Sequence, residues 1–308
     1  MNDLQSGGLG LRVSYKLNDA LTLKSITSAR AWNQAPVIYD NAGSATQYSA
    51  NLINYHQHDY TEELQLAGDY GRFNFVSGFY YYREAFGVDR LTISLYNPRV
   101  HTLNRTATES FAGYTQGNYH ITDRLTATLG LRYTEDTKNF VDGNFTTIVN
   151  NSIEDVFNRY TAGKPIFAST SDHSWGSATP KAGLSYQVTP VVLAYVSYAE
   201  GFKAGGYDNR SANAEIAKTP FSPETVDTYE VGVKSDWWQH RLRANLALFY
   251  NDYSDLQQSI YVTTLPGAPT ELVNAGHAHT DGAELETTML PLDGLVWRQQ
   301  CRISRHCL

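Results

Sequence analysis

The side chains best suited to chemistry in this 308-residue chain are two His-x-His pairs. His56 and His58 stand beside Asp59, and His277 and His279 stand near Asp281. On an extended strand, residues i and i+2 project to one side, so each pair offers two imidazoles to one metal ion. Neither pair has a third ligand fixed by spacing, and the plainer reading is solvent-facing histidines at a loop or rim. Tyr39, Tyr48, Tyr55 and Tyr207 lie in or beside long polar stretches. Their amphipathic rings suit stacking on an aromatic or sugar-like ligand, and an interfacial tyrosine belt explains them equally well. Catalysis finds little support. There is no Gly-x-Ser-x-Gly elbow, no His-Glu-x-x-His and no phosphate loop, and Gly205-Gly206 lacks the rest of a dinucleotide fingerprint. Glu62 and Glu63 are adjacent, so on a strand they point apart. The sequence predicts no catalytic residue, no cofactor and no enzyme activity. An acid–His set at a rim, assembled only by the fold, is the one catalytic arrangement left open.

The elements that would carry these side chains are strands. In Leu125–Thr134 the odd positions are apolar or aromatic and the even ones are Thr, Gly and Arg. The same period of two places Phe73, Phe75, Phe79 and Tyr81 on one face. It also groups Leu9, Leu11, Val13, Tyr15 and Leu17; Ala182, Leu184, Tyr186 and Val188; and Leu242, Ala244, Leu246, Leu248 and Tyr250. Residues 191–200 are apolar on both faces, so their outward side stays unassigned. Tight connections at 18–19, 68–71, 122–123, 189–190 and 236–240 alternate with long polar stretches near 33–57, 83–106, 139–173, 203–222 and 255–270. That alternation is the signature of an outer-membrane β-barrel, with short periplasmic turns, long extracellular loops, one lipid-facing face and one lumen face. The 22 Tyr suit aromatic girdles at its two interfaces. A soluble sandwich or propeller also alternates, but rarely tolerates five such loops.

Composition narrows the classes further. Charged residues are 18% of the chain, mean hydropathy is -0.40, and the longest apolar run is Val191–Val196. A membrane-crossing helix needs about 20 such residues. Net charge is -7, which gives no basic bias toward nucleic acid. The two Cys fall in the last eight residues and build no disulfide framework.

Several segments, in order, resemble the barrel region of TonB-dependent outer-membrane receptors. They include Ser197–Tyr207 with Gly201 and Phe202, then Pro223–Lys234 with Tyr229, Glu230, Gly232 and Lys234. Ala247–Tyr253, Asn274-Ala275-Gly276 and Asp281–Glu286, with Gly282 and Glu284, follow. Upstream, Glu62–Leu66 and Leu129–Thr134 are similar to the same family. These motif residues read as architectural: with Tyr229, Val231 and Val233 facing lipid, Glu230 and Lys234 face the lumen. The resemblance implies an all-β transmembrane antiparallel barrel segment over 1–296, about 12–13 strands of a roughly 22-stranded barrel. It implies an outer-membrane location and active uptake of a bulky, scarce solute of the siderophore-iron, cobalamin or oligosaccharide class. The partners it implies are outer-membrane lipid, a plug domain, the TonB complex and the imported small solute, with no nucleic acid. The alternatives are a passive porin barrel or a secreted β-rich adhesin.

Signal peptide, TonB box and plug are not recognisable in 1–308, so the resemblance points to a middle-to-later portion of such a receptor. A dozen strands with two open edges are expected neither to transport nor to bind a ligand tightly alone. From Trp297 the alternation is expected to fail, with both cysteines and three arginines in residues 297–308. That pattern suggests an aberrant tail from a shifted or truncated reading frame; a Cys301–Cys307 disulfide is the alternative.

Overall fold

The period of two becomes one continuous antiparallel sheet. The computed structural model describes residues 3–40, 49–94, 100–148, 161–210, 213–261, 270–292 and 294–307. The strands are β1 (Leu4–Lys16), β2 (Leu21–Asp40), β3 (Ser49–Asp69), β4 (Phe73–Ser94), β5 (Val100–His120), β6 (Leu125–Ile148) and β7 (Thr161–Thr189). They continue as β8 (Val192–Lys203), β9 (Glu224–Trp237), β10 (Leu242–Ser254), β11 (Gln257–Tyr261), β12 (Thr270–Asn274), β13 (Ala278–Leu292) and β14 (Leu295–Cys307). Twelve of them form a meander in chain order, and β11–β12 is a separate hairpin inserted between β10 and β13. Among the described residues one short helix, α1 (Ala214–Lys218), lies between β8 and β9. Among the described residues β1 and β14 do not pair with each other, so the sheet has two edges.

Local chemistry fixes the short turns. Asn18 Oδ1 accepts from the backbone N–H of Ala20 and Leu21, and Thr122 Oγ1 accepts from Arg124 and Leu125. Such side chains imitate a turn's own hydrogen bonds. Between β3 and β4, Asp69 Oδ1 holds the N–H of Gly71, whose φ of +75° suits glycine. The β9–β10 turn instead places Trp238, Gln239 and His240 at positive φ.

The sequence stripes occupy the outer face. Leu9 is 79% exposed, Phe79 73% and Ile303 80%, values that a folded sheet sustains only where lipid replaces water. Cross-strand registers put Tyr60, Tyr81, Phe111 and Tyr133 in one outer arc, and Tyr198, Tyr229 and Tyr250 in another. Ring centroids within these arcs lie 4.9 to 6.4 Å apart. Tyr15, Phe73, Tyr119, Tyr186 and Trp237 mark the opposite, periplasmic margin. The outer face between these margins carries one notable carboxylate. Glu62 accepts from Ser25 Oγ at 2.8 Å and Thr27 Oγ1 at 2.5 Å, which satisfies it just beneath Tyr60. Glu63, as its position requires, points the other way and accepts from Tyr114 Oη.

One sequence expectation needs correction. The long polar stretches are only partly loops: β6 runs for 24 residues and β7 for 29, where a crossing takes about 9–11. Beyond the lipid both faces meet polar surroundings, so the alternation fades while the hydrogen-bond ladder continues. Strand pairing, though not the alternation, continues past Trp297. β14 pairs with β13 through Cys307, with Trp297, Cys301 and Ile303 outward beside Gln299 and Arg305. Cys301 and Cys307 are free. Strand pairing is silent on how the reading frame arose. The unassigned segment 191–200 is resolved: Ala194, Val196 and Tyr198 pair with the outward residues of β9, and Tyr195 turns inward.

Candidate functional site

The inner face gathers polar and aromatic side chains that sequence separation hides. On β4, the inward alternates Tyr80, Tyr82, Glu84 and Phe86 line a concavity of about 550 Å³, closed by Gln57, Thr108, Asp136 and Lys138. Trp32 Nε1 donates to Gln57 Oε1, and Gln57 Nε2 donates to Glu84 Oε1. Trp32, Tyr55 and Phe86 form an aromatic group above this chain, with centroids 6.1 to 6.4 Å apart. Lys138 Nζ donates to the carbonyl of Gly205 at 2.7 Å and lies 5.9 Å from the Trp175 ring. Burial holds its ammonium below the ordinary lysine range, while Asp136 and Glu84 act in the other direction. Tyr207 stacks on Phe140 at 5.2 Å and meets Trp175 edge-on. The wall thus presents flat aromatic surfaces, the Lys138 ammonium and hydrogen-bonding groups toward the lumen.

The connection between β8 and β9 is built into that wall. β7 pairs with β8 only from Lys181 to Thr189, and Pro180, which has no N–H to donate, stands where pairing stops. The connection comes back to the wall there, with Lys138 on Gly205, and a Gly206–Phe221 bridge closes the connection on itself. Asn213 caps α1 by accepting from Glu215 and Ile216.

Residues 1–301 match the family described as TonB-dependent receptor-like β-barrel. The chain belongs to that family. Its sheet also overlays solved receptors of this type. The ferric yersiniabactin uptake receptor of Yersinia pestis gives a TM-score of 0.79 at 20% identity, covering 98% of this chain and 42% of that one. The siderophore receptor PiuA of Acinetobacter baumannii gives 0.70 at 18% identity, over 97% and 47%. In sequence, the metal-pseudopaline receptor of Pseudomonas aeruginosa is 32% identical over 117 residues, 38% of this chain and 15% of that protein. The pesticin receptor of Yersinia enterocolitica is 27% identical over 200 residues, 65% of this chain and 26% of the other. The chain therefore spans less than half the length of these relatives. As a TonB-dependent receptor barrel it resides in the outer membrane, with short turns periplasmic and long hairpins extracellular.

Within this receptor barrel, the motif residues are wall components. Tyr195 Oη donates to Glu230 at 2.6 Å, and Lys234 Nζ lies 5.2 Å from the Tyr195 ring. Gly232 makes room for that ring: a Cβ there would meet Tyr195 at 2.6 Å. Gly282 does the same for Phe249, and Arg302 bridges Glu284 and covers the Phe249 ring. Gly201 and Phe202 pair with Val226 and Thr225 at the base of the β8–β9 connection.

The other candidates divide. Tyr55 and Tyr207 do face the lumen site, by their partners above. Tyr48 and the side chain of Tyr39 lie outside the described residues. His56 and His58 share a face, but His56 Nε2 accepts from Arg105 at 2.7 Å. Burial first, then Arg105, holds its pKa below the usual histidine value. His277 meets Ser254, and His279 stacks on Tyr250. Among the described residues no three His, Cys, Asp or Glu side chains converge as metal ligands. Sequence reasoning missed Trp32, Gln57, Tyr80, Tyr82, Lys138 and Trp175. The run Phe79-Tyr80-Tyr81-Tyr82, aromatic on both faces, was the available signal, since aromatics turned inward serve no lipid belt.

Proposed function

We propose that this chain forms wall and extracellular hairpins of a receptor that imports a metal–siderophore complex. The reading rests on the family match over residues 1–301, and the receptors named above for siderophores agree with it. A passive porin, by contrast, is a different family. The inner aromatic and cationic wall suits first contact with a flat, anionic chelate, through stacking and Lys138. Transport itself would need a plug inside the barrel, displaced by TonB using the inner-membrane proton gradient. The 308 residues would supply part of the wall and of the capture surface.

Uptake of radiolabelled ferric siderophores tests this. A receptor-deficient strain carrying the whole gene should accumulate iron only when TonB is present. Uptake that persists without TonB, or a strain that gains none with any ferric chelate, would contradict the proposal.

A further inference from the structure

The lipid-facing side of the sheet carries a hollow between β6 and β10. It is an open groove of about 690 Å³, within the range of about 300–1,000 Å³ common for small-molecule sites. Ala127 and Ala182 leave it open: each stands opposite a leucine, Leu184 and Leu129 respectively, and is too short to fill the space beside it. Tyr198, Tyr229 and Tyr250 bound the groove on its extracellular side. The outward side chains that line it are otherwise aliphatic.

Two residues beyond those tyrosines, on the same outer face, three carboxylates stand in a row. Glu200 on β8 is the cross-strand partner of Asp227 on β9, and Asp227 is also the partner of Asp252 on β10. Like charges directly opposite each other destabilise a sheet. Tyr198 Oη donates to Asp227 Oδ1 at 2.7 Å, which satisfies one of the six oxygens. The basic groups around the row are engaged elsewhere. Lys203 reaches Glu224 at 4.0 Å, Arg305 donates twice to Asp281, and His279, opposite Asp252, stacks on Tyr250. Among the described residues none of the three carboxylates forms an ion pair.

The groove and the row select one occupant. An apolar groove on the hydrocarbon side of a tyrosine margin takes an acyl chain. The carboxylates just outside that margin then meet the head of the same molecule. Three adjacent negative charges suit a head that carries an ammonium group rather than bare phosphates. A second copy of the chain fits less well, because an isologous contact uses one patch twice and would bring two acid rows together.

We propose that this groove binds one acyl lipid with an amine-bearing head, its chain along Ala127 and Ala182 and its ammonium among Glu200, Asp227 and Asp252. The bound lipid neutralises the row and steadies the β8–β10 rim beneath the β8–β9 connection. The site lies on the outside of the wall and is independent of which solute crosses the lumen.

The test is native mass spectrometry of the whole receptor, released from detergent micelles after phosphatidylethanolamine is added. Phosphatidylglycerol with the same chains, and lipid A with magnesium, are the competing probes. The expected result is one phosphatidylethanolamine retained per receptor, about tenfold more tightly than phosphatidylglycerol. Ala182→Trp should fill the groove and abolish retention. The combined Glu200→Gln, Asp227→Asn and Asp252→Asn variant should lose the preference for the amine head and hold both phospholipids alike. Heat-modifiable gel mobility identifies folded variants; if Ala182→Trp does not fold, Ala127→Leu carries the comparison. Equal retention of the two phospholipids by the unaltered receptor, tighter retention of lipid A, or a receptor dimer that excludes lipid would overturn the proposal. So would retention unchanged in the folded groove variants.

Discussion

Val233 gives the sharpest test of which face meets lipid. It points outward on β9, four residues from Tyr229 and four from Trp237, with Ala194 and Leu246 as its outward neighbours. Eight residues at about 3.3 Å each, tilted by about 40°, separate the two aromatic margins by about 20 Å. Val233 therefore lies near the midplane, about 10 Å from either margin. Arginine there should cost about 2–4 kcal/mol, whereas near an interface it costs about 0–1. Asp252 supplies the interfacial control, being outward, exposed and two residues beyond Tyr250. Lys234, the next residue, carries a charge without that penalty because it faces inward against Tyr195. Equilibrium urea unfolding in phospholipid vesicles should separate Val233→Arg from Asp252→Arg by about 3 kcal/mol, roughly a 150-fold difference in the folding constant. Equal stability of the two variants would refute the assignment of faces.

Other outcomes follow from the same geometry. Cysteine at Glu215 on α1 should label with a membrane-impermeant reagent in intact cells, and cysteine at Asp123 only after the outer membrane is opened; the reverse pattern would invert the topology. Gln239→Gly should stabilise the β9–β10 turn by about 1 kcal/mol, because φ is +56° there, and thermal unfolding reads it. Gly232→Ala should displace the Tyr195 ring and cost about 1 kcal/mol as the bond to Glu230 is lost. The lowered pKa of His56 means the unfolded chain binds its proton more readily. Support from the His56–Arg105 contact is thus full above about pH 6.5 and lost as pH falls through the depressed folded value. Hydrogen exchange at Arg105 should quicken over that window, and His56→Gln, which keeps an acceptor, should remove the dependence.

What the sequence makes legible is what lipid selects. Bilayer demands an apolar side chain at every second position, so Leu9 to Leu17 and Leu242 to Tyr250 could be assigned to one face by inspection, and the structure puts both stripes outward. The same rule ends where the lipid ends. In Glu135-Asp136-Thr137-Lys138-Asn139 both faces are polar, yet β6 continues through them with full pairing to β5 and β7. Nothing in the local pattern marks such residues as strand. Segment 191–200 failed for the opposite reason, since inward Tyr195 packs over Gly232 and Lys234 rather than into water, and so reads as apolar on both faces. The lumen site depends on register, which composition does not encode. Gln57 reaches Glu84 only because β3 and β4 pair from Asp69 and Asn74 upward, and Lys138 reaches Gly205 only because β8 parts from β7 at Lys181. Asn104, Asp142 and Ser169 are of the same kind: three polar residues, each 38 or 27 positions from the next in sequence, made neighbours by two hairpin registers. Chemistry in this fold therefore arises across the ladder rather than along the strand, and the single-strand His-x-His pairs, though the most visible motif, meet no third ligand among the described residues.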